Sequence, residues 1–262
     1  MSDNPTVCAV MLTADRPEMA RRAVECFRAQ TYPAKRLLTY NTGDGELYWD
    51  YDPFIAHHRY RPVGTHRGDE PIGAIRNWAN EEAQADILIH WDDDDYSHPN
   101  RIAEQVALLQ SSGADAVGYR EMLFWREAAT VANWKERAAN HESQLGEAWL
   151  YSNLNPSYCL GTSLCYWRKT WERKPFEATS QGEDFAFCAG LKTVSVTSIF
   201  DVHNDPFVEC LPNGDADKTP RMIATIHSGN TSVAYRTELM RQAEEWQRVP
   251  EWDDYARKVM EC

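Results

Sequence analysis

The sequence predicts an α/β fold: an open mixed sheet, mainly parallel, with helices on both faces and helices at the C-terminus. Three observations predict it. Val7 to Leu12 and Ile87 to Ile89 are short continuous apolar runs, as in strands buried on both faces of a parallel sheet. The first run, an amphipathic segment and a second run at Leu37 to Tyr40 have the spacing of a βαβ unit, whose crossover is right-handed. Four consecutive aspartates, Asp92 to Asp95, follow Ile87–His90 directly and precede a helical pattern. Open α/β sheets bind their ligands in that strand-to-helix crevice.

Taken in order, Val7–Leu12 is the first strand. Asp15 as N-cap, Glu18 three residues later and Pro17 in the first turn form a capping box. Ala20, Val24 and Phe27 mark the buried face of the helix that follows, which ends near Gln30. Leu37–Tyr40 is the second strand, with a turn at Asn41–Gly45. Tyr48 to His58 is aromatic-rich and irregular, with room for a short helix, and Tyr60 to Val63 is the candidate third strand. Pro71 opens a helix with the apolar stripe Ile72, Ile75, Ala79 and Ala83. Arg76 lies beside that stripe, so it needs an anion or a carboxylate of the protein itself.

After the acidic run, Ser97-His98-Pro99 reads as a helix start, with Ile102, Val106 and Leu109 at helical spacing and Gly113 as the C-cap. Ala114–Tyr119 is a strand. Residues 120 to 158, with Trp125, Trp134, Trp149, Tyr151 and Tyr158, read as a cover over the sheet's carboxyl edge. Cys159–Trp167 is a strand and Arg168–Glu172 a short helix. A helix runs from Asp184 to Ala189 and ends at Gly190. Val194–Ile199 and Met222–Ile226 are strands, with a loop around Pro212–Asp215 between them. Two terminal helices separated by Pro250 close the chain. The expected division is a main domain over 1–232 and a helical extension over 233–262.

Four adjacent carboxylates repel one another unless cations or hydrogen bonds offset them. A hard divalent metal carried by a diphosphate is the natural partner for such oxygen ligands. A solvated acidic loop is the plainer alternative. The 262 residues suffice for one large domain or two small ones, and the 43% hydrophobic content can fill a core. A net charge of −13 argues against duplex nucleic acid and anionic membranes as partners. No apolar run approaches a membrane span, and no signal-peptide pattern opens the chain. Seven scattered cysteines without a CxxC pair suggest reduced thiols in a cytoplasmic protein.

Three signals in fixed order carry a resemblance: Val10–Pro17 (VMLTADRP), Asp92–Asp95 followed by His98-Pro99-Asn100-Arg101-Ile102, and Gly182-Glu183-Asp184. Over residues 5 to 232 the chain resembles the family 2 glycosyltransferases of the GT-A fold, whose open sheet is Rossmann-like. The resemblance implies a nucleotide-sugar donor, a UDP-sugar first, bound with Mn²⁺ or Mg²⁺. It implies that the acidic run is the DXD motif, with Asp92 and Asp93 nearest the ribose and diphosphate and Asp94 the main metal ligand. Asp92 and His227 complete that ligand set, and His203 competes with His227. Gly182-Glu183-Asp184 is similar to the ED motif: Asp184 is the expected general base, and Glu183 binds the acceptor or orients its loop. Gly73-Ala74-Ile75-Arg76-Asn77 matches the helix that brings an arginine to the nucleotide. Thr13 and Asp15 match the loop that brackets the base. Asn41 stands where the family commonly has the acid that holds uracil. An asparagine both donates and accepts, so it can read a base edge, and which base it prefers stays open. The acceptor is open as well: a saccharide, a lipid-linked sugar, a protein side chain or a modified base. Two other classes remain, a magnesium-dependent sugar-nucleotide hydrolase or phosphotransferase and a non-catalytic nucleotide-sugar-binding module.

Overall fold

Alternate residues of the apolar runs feed two helical layers, and this places the sheet at the centre. A computed structural model describes residues 4–47, 50–59, 70–127, 146–199, 219–226 and 244–260. Its four-stranded parallel core is β3 (Ile55–Arg59), β2 (Lys35–Asn41), β1 (Val7–Thr13) and β4 (Ile87–His90), in that order. Beyond β4 the sheet turns mixed. β8 (Cys165–Trp167) pairs antiparallel with both β4 and β6 (Ala116–Arg126), and β7 (Glu147–Ser152) and β11 (Trp246–Arg248) extend the far edge. β9 (Thr193–Thr197) and β10 (Met222–Ile226) run parallel to β6, and β10 also pairs with the two-residue β5 (Tyr96–Ser97). The expectation of a mainly parallel sheet therefore holds at the core and not at the β6–β11 side.

On one face Val7, Ala9, Met11, Ile87 and Ile89 pack against Ala20, Val24 and Phe27 of α1 (Pro17–Arg28) and Ile102, Val106 and Leu109 of α3 (Arg101–Ser112). On the other, Cys8, Val10, Leu38 and Leu88 meet Ala79 of α2 (Ile72–Glu82), Trp171 of α4 (Arg168–Arg173) and Phe187 of α5 (Glu183–Cys188). Burying an aromatic or branched side chain here contributes about 1.5–3 kcal/mol. The C-terminal helix α6 (Asp253–Met260) sets Ala256 and Met260 into a third cluster with Leu123 and Trp125. Among the described residues no helix is long and apolar enough to cross a membrane, and every cysteine is a free thiol.

Several expectations need correction. The two predicted caps are absent because tertiary partners claim their side chains. Asp15 sits at a φ of 55° and its Oδ1 accepts from Gly45 N at 2.7 Å, so α1 starts behind Arg16. Ser97 belongs to β5 and accepts from Arg101 Nη1 at 2.8 Å, so α3 starts behind Asn100. A strand lies at Ile55–Arg59, where the sequence predicts an irregular stretch, and the predicted strand Tyr60–Val63 lies outside the described residues. Residues 120–126 and 147–152 are not a cover over the sheet; they pair with each other as part of it. Cys159–Trp167 is a strand only at its end, with a 3₁₀ turn over Gly161–Ser163 before it. In the tail, β11 and α6 are described, and the first of the two predicted terminal helices falls largely outside the described residues.

Candidate functional site

β1, β2 and β4 run parallel, so their carboxyl ends open at one rim, and the acidic run leaves β4 there. The loop is held chiefly by its main chain. Arg101, with no exposed surface, donates Nη2 to the carbonyls of His90 (2.9 Å) and Thr162 (3.1 Å), Nη1 to Ser97 Oγ and Nε to Gln105 Oε1 (3.1 Å). Its guanidinium also lies 5.1 Å over the Trp91 ring. Arg22 Nη2 donates to the Asp94 carbonyl at 2.8 Å, and the Thr225 hydroxyl donates to that same oxygen. A planar, multiply donating group suits this task, because a loop leaving a strand exposes several carbonyls at once.

The four carboxylates then part company. Asp92, Asp94 and Asp95 each present an oxygen within 4.8 Å of the others. Asp93 turns away and lies 2.8 Å from Arg16 Nη2, while Arg16 Nη1 reaches Asp94 at 3.1 Å. Burial, then the charge of Asp94, pushes the Asp93 carboxyl up to about 7. The same two causes, in the same order, raise Asp95, although Thr162 Oγ1 and Thr225 N (3.0 Å) both donate to it. This cluster is short of positive charge even with Arg16 in place.

A second pair of carboxylates faces it. Glu183 and Asp184 open α5, and Arg76 stands between the two sets, 3.9 Å from Asp92 Oδ1 and 3.5 Å from Glu183 Oε1. The alternatives for Arg76, an anion or a protein partner, thus resolve to two protein carboxylates in this structure. Burial raises the Glu183 carboxyl and Arg76 opposes the rise. The junction depends on Gly73. A Cβ there would lie 1.8 Å from the Glu177 carbonyl, and Gly73 N donates to Thr179 O at 3.0 Å. Asn77 fixes the same seam: its amide donates to Phe176 O and accepts from Trp171 Nε1 and Phe176 N. Asp184 is partly exposed; its Oδ2 accepts from Tyr158 Oη at 2.5 Å and its Oδ1 from Phe185 N at 2.8 Å.

The loops after β1 and β2 are bound to each other. Thr42 N donates to Thr13 O, and Gly43 fits so tightly that a Cβ would lie 2.5 Å from Asp15 N. Thr13 is buried, with its hydroxyl against Asp93. The Asn41 amide donates to Gly45 O and accepts from Gly43 N, so its first bonds shape the turn. The structure therefore brings Thr13, Arg76, Asp92–Asp95 and Glu183 into one network, and Asp15 and Asn41 into the adjoining loop pair. His227 and His203 lie outside the described residues.

Residues 8–122 match the profile described as Glycosyl transferase family 2. The match spans 115 of the 262 residues, and over that stretch the chain is similar to this family. Comparison with curated proteins finds no match. Among solved structures, the chain resembles the mannosyltransferase PcManGT from Pyrobaculum calidifontis in complex with GDP-Man and Mn²⁺, with 15% identity and a TM-score of 0.51. It also resembles S. aureus TarS 1–349 in complex with UDP-GlcNAc, with 11% identity and a TM-score of 0.54. These likenesses show the GT-A fold. The first covers 75% of this chain and 56% of that one, the second 97% and 70%; a longer TarS structure is spanned over only 38% of its length.

Six residues of the site have roles that the sequence alone does not assign. Arg16 and Arg101 stand inside the quoted motifs, and a lone arginine one residue before the apolar stripe of α3 is a signal for burial. Asp95 differs from its acidic neighbours only through its distant partners. Tyr158, Thr162 and Thr225 carry no local signal, because the partners of the two threonines lie 67 and 130 residues away.

Proposed function

We propose that the chain is a metal-dependent inverting glycosyltransferase that moves a sugar from a nucleotide-sugar donor, a UDP-sugar first, to an acceptor hydroxyl. One observation carries this reading. Arg76 lies between Asp92 of the carboxylate cluster at the end of β4 and Glu183 of the pair that opens α5, which supports reading the two sets as parts of one site. The donor set fits a hard cation: three carboxylate oxygens, closely spaced, largely buried and mutually repelling. The complexes of the two relatives, with GDP-Man and Mn²⁺ and with UDP-GlcNAc, agree in kind.

Asp92 and Asp94, with Asp95 behind them and His227 as a further ligand, would hold Mn²⁺ or Mg²⁺. A divalent cation there stabilises the charge that develops on the departing diphosphate. Asp184 takes the proton of the acceptor oxygen as that oxygen attacks the anomeric carbon opposite the leaving group, which inverts it. Glu183, held against Arg76, orients the acceptor loop. Asp93, paired with Arg16, lies toward the ribose beside Thr13. Asp15 and Asn41 set the loop pair against which the base rests.

A thermal-shift panel of UDP-, GDP-, CMP- and dTDP-sugars with and without Mn²⁺ tests the donor. The expected result is a rise in Tm with a UDP-sugar only when Mn²⁺ is present, roughly 5–11 °C at a hundred times Kd. No Mn²⁺-dependent shift with any of them would overturn the reading. Asp184→Asn should keep that shift and lose about 10²–10⁴ in rate. Full turnover by this variant would remove Asp184 from its role.

A further inference from the structure

The segment from Tyr158 to Ser163 lies beyond the family match and outside the three motifs, yet it touches both carboxylate sets. Tyr158 Oη donates to Asp184 Oδ2. Gly161 lies directly beneath that carboxylate, where a Cβ would come within 2.6 Å of Oδ2 and 3.0 Å of Cγ. The Gly161 carbonyl meets Nδ1 of the buried His90, the last residue of β4, at 2.6 Å. Thr162 donates its hydroxyl to Asp95 and lends its carbonyl to Arg101. Ser163 closes the turn: its hydroxyl accepts from Tyr119 N at 2.8 Å and its carbonyl from Gln105 Nε2 at 2.7 Å. Gly161, Thr162 and Ser163 are thus pinned to β4, β6 and α3, and Tyr158 just before them reaches Asp184.

We propose that Tyr158 is a positioning residue for the Asp184 carboxylate, and that the Gly161–Ser163 turn ties this position to the acidic run. This rests on the reading that Asp184 takes the acceptor's proton. Asp184 sits near the start of a six-residue helix and is partly exposed, so its side chain needs outside contacts to fix its direction. Three are present: Tyr158 on Oδ2, Phe185 N on Oδ1 and the Gly161 backbone as a floor. Burial, and then the charge of Asp184, pushes the Tyr158 phenol up, so it keeps its proton and remains the donor. The lone pairs left on Asp184 then point in a set direction. Misplacing a reacting group by about 1 Å costs on the order of 10²-fold in rate.

A cycle of four proteins tests this: wild type, Tyr158→Phe, Asp184→Asn and the double variant. The readouts are Mn²⁺-dependent UDP binding by calorimetry and nucleotide release from UDP-GlcNAc and GDP-mannose, with water as the acceptor. Tyr158→Phe should lower kcat roughly 10- to 100-fold, the worth of a hydrogen bond to a charged group. UDP affinity and donor KM should stay within roughly twofold, which a general loosening of the fold would not allow. In the Asp184→Asn background the second substitution should cost nothing more. Wild-type kcat in Tyr158→Phe beside a crippled Asp184→Asn overturns the proposal and leaves the base reading standing. Wild-type kcat in Asp184→Asn overturns the base reading itself. An equal loss from Tyr158→Phe in both backgrounds means that Tyr158 acts elsewhere, and also overturns the proposal. A crystal structure of Tyr158→Phe with UDP should show the Asp184 carboxylate turned from its wild-type position; an unmoved carboxylate would refute the idea directly.

Discussion

Arg101→Met should cost more stability than any other single change at the rim. The arginine is fully buried and spends four donor bonds, two of them on the main-chain carbonyls of His90 and Thr162. Methionine matches its length but donates nothing. Ser97 and Gln105 can turn their side chains toward other partners, but the two carbonyls are fixed by β4 and the 3₁₀ turn. Each buried acceptor left unpaired costs about 1–3 kcal/mol, so the pair alone costs about 2–6. One effect opposes this. Burial lowers the Arg101 pKa, so the folded protein carries a desolvated charge that methionine would relieve. That relief is small here, because removing the cation also leaves Asp95 with less positive charge nearby.

A net loss of about 4 kcal/mol corresponds to a fall in Tm of roughly 8–16 °C for a chain of this size. Differential scanning calorimetry of wild type, Arg101→Met and Arg101→Lys measures it. Lysine keeps the charge but not the planar fork, so it should fall between the other two. A Tm for Arg101→Met within roughly 2 °C of wild type would mean that the carbonyls find other donors, and the account of how the acidic loop is held would fail.

Gly161→Ala should act on rate rather than on stability. Its Cβ would press on the Asp184 side chain, so kcat should drop while Tm stays within roughly 3 °C; unchanged nucleotide release would show that the floor is not needed. The metal-free protein should lose stability as pH rises toward neutrality. Asp93, pushed up to about 7, and Asp95, also raised, hold protons more tightly folded than unfolded. Their contribution is therefore complete below about pH 4 and disappears as pH climbs through about 7. Mn²⁺ should raise Tm more at pH 8 than at pH 5.5, and Asp94→Ala should abolish that gain; an equal rise at both pH values, or one that survives Asp94→Ala, would speak against cation binding at this cluster.

The parts of the fold that sequence reveals are those whose causes are local. The buried runs of β1, β2 and β4 and the apolar faces of α1 and α3 are each readable within a dozen residues, as is the acidic run at the end of β4. The misreadings share one cause, a distant partner that overrides a local preference. Asp15 has the chemistry of a cap but bonds to Gly45. Trp125 and Trp149 suggest a lid, yet they face their cross-strand partners in β6 and β7, where aromatic residues are at home. Asn41 has the chemistry of a base-binding group, and its first bonds go to its own turn. Arg76 is legible as an arginine in need of a carboxylate, but not which carboxylates, since Asp92 and Glu183 reach it from distant parts of the chain.

The manner in which the acidic loop is tethered bears on what its side chains can do. Arg101, Arg22 and the Thr225 hydroxyl all bond to main-chain oxygens of His90 or Asp94, not to carboxylates. Had the fold neutralised the run by pairing each aspartate with its own buried cation, the carboxylates would be spent and the loop would be purely structural. Instead, Asp95 has both oxygens bound by neutral donors, and Asp93 is given to Arg16. Asp92 and Asp94, two residues apart, meet arginines that they share with other carboxylates: Arg76 also serves Glu183, and Arg16 also serves Asp93. Arg16 is moreover about a third exposed. Asp93 is fully buried, so its bond to Arg16 is costly to break, whereas the bond from Arg16 to Asp94 is a second, shared contact. The same loop with its main chain released and its carboxylates paired would have the opposite character, a stable surface and no site.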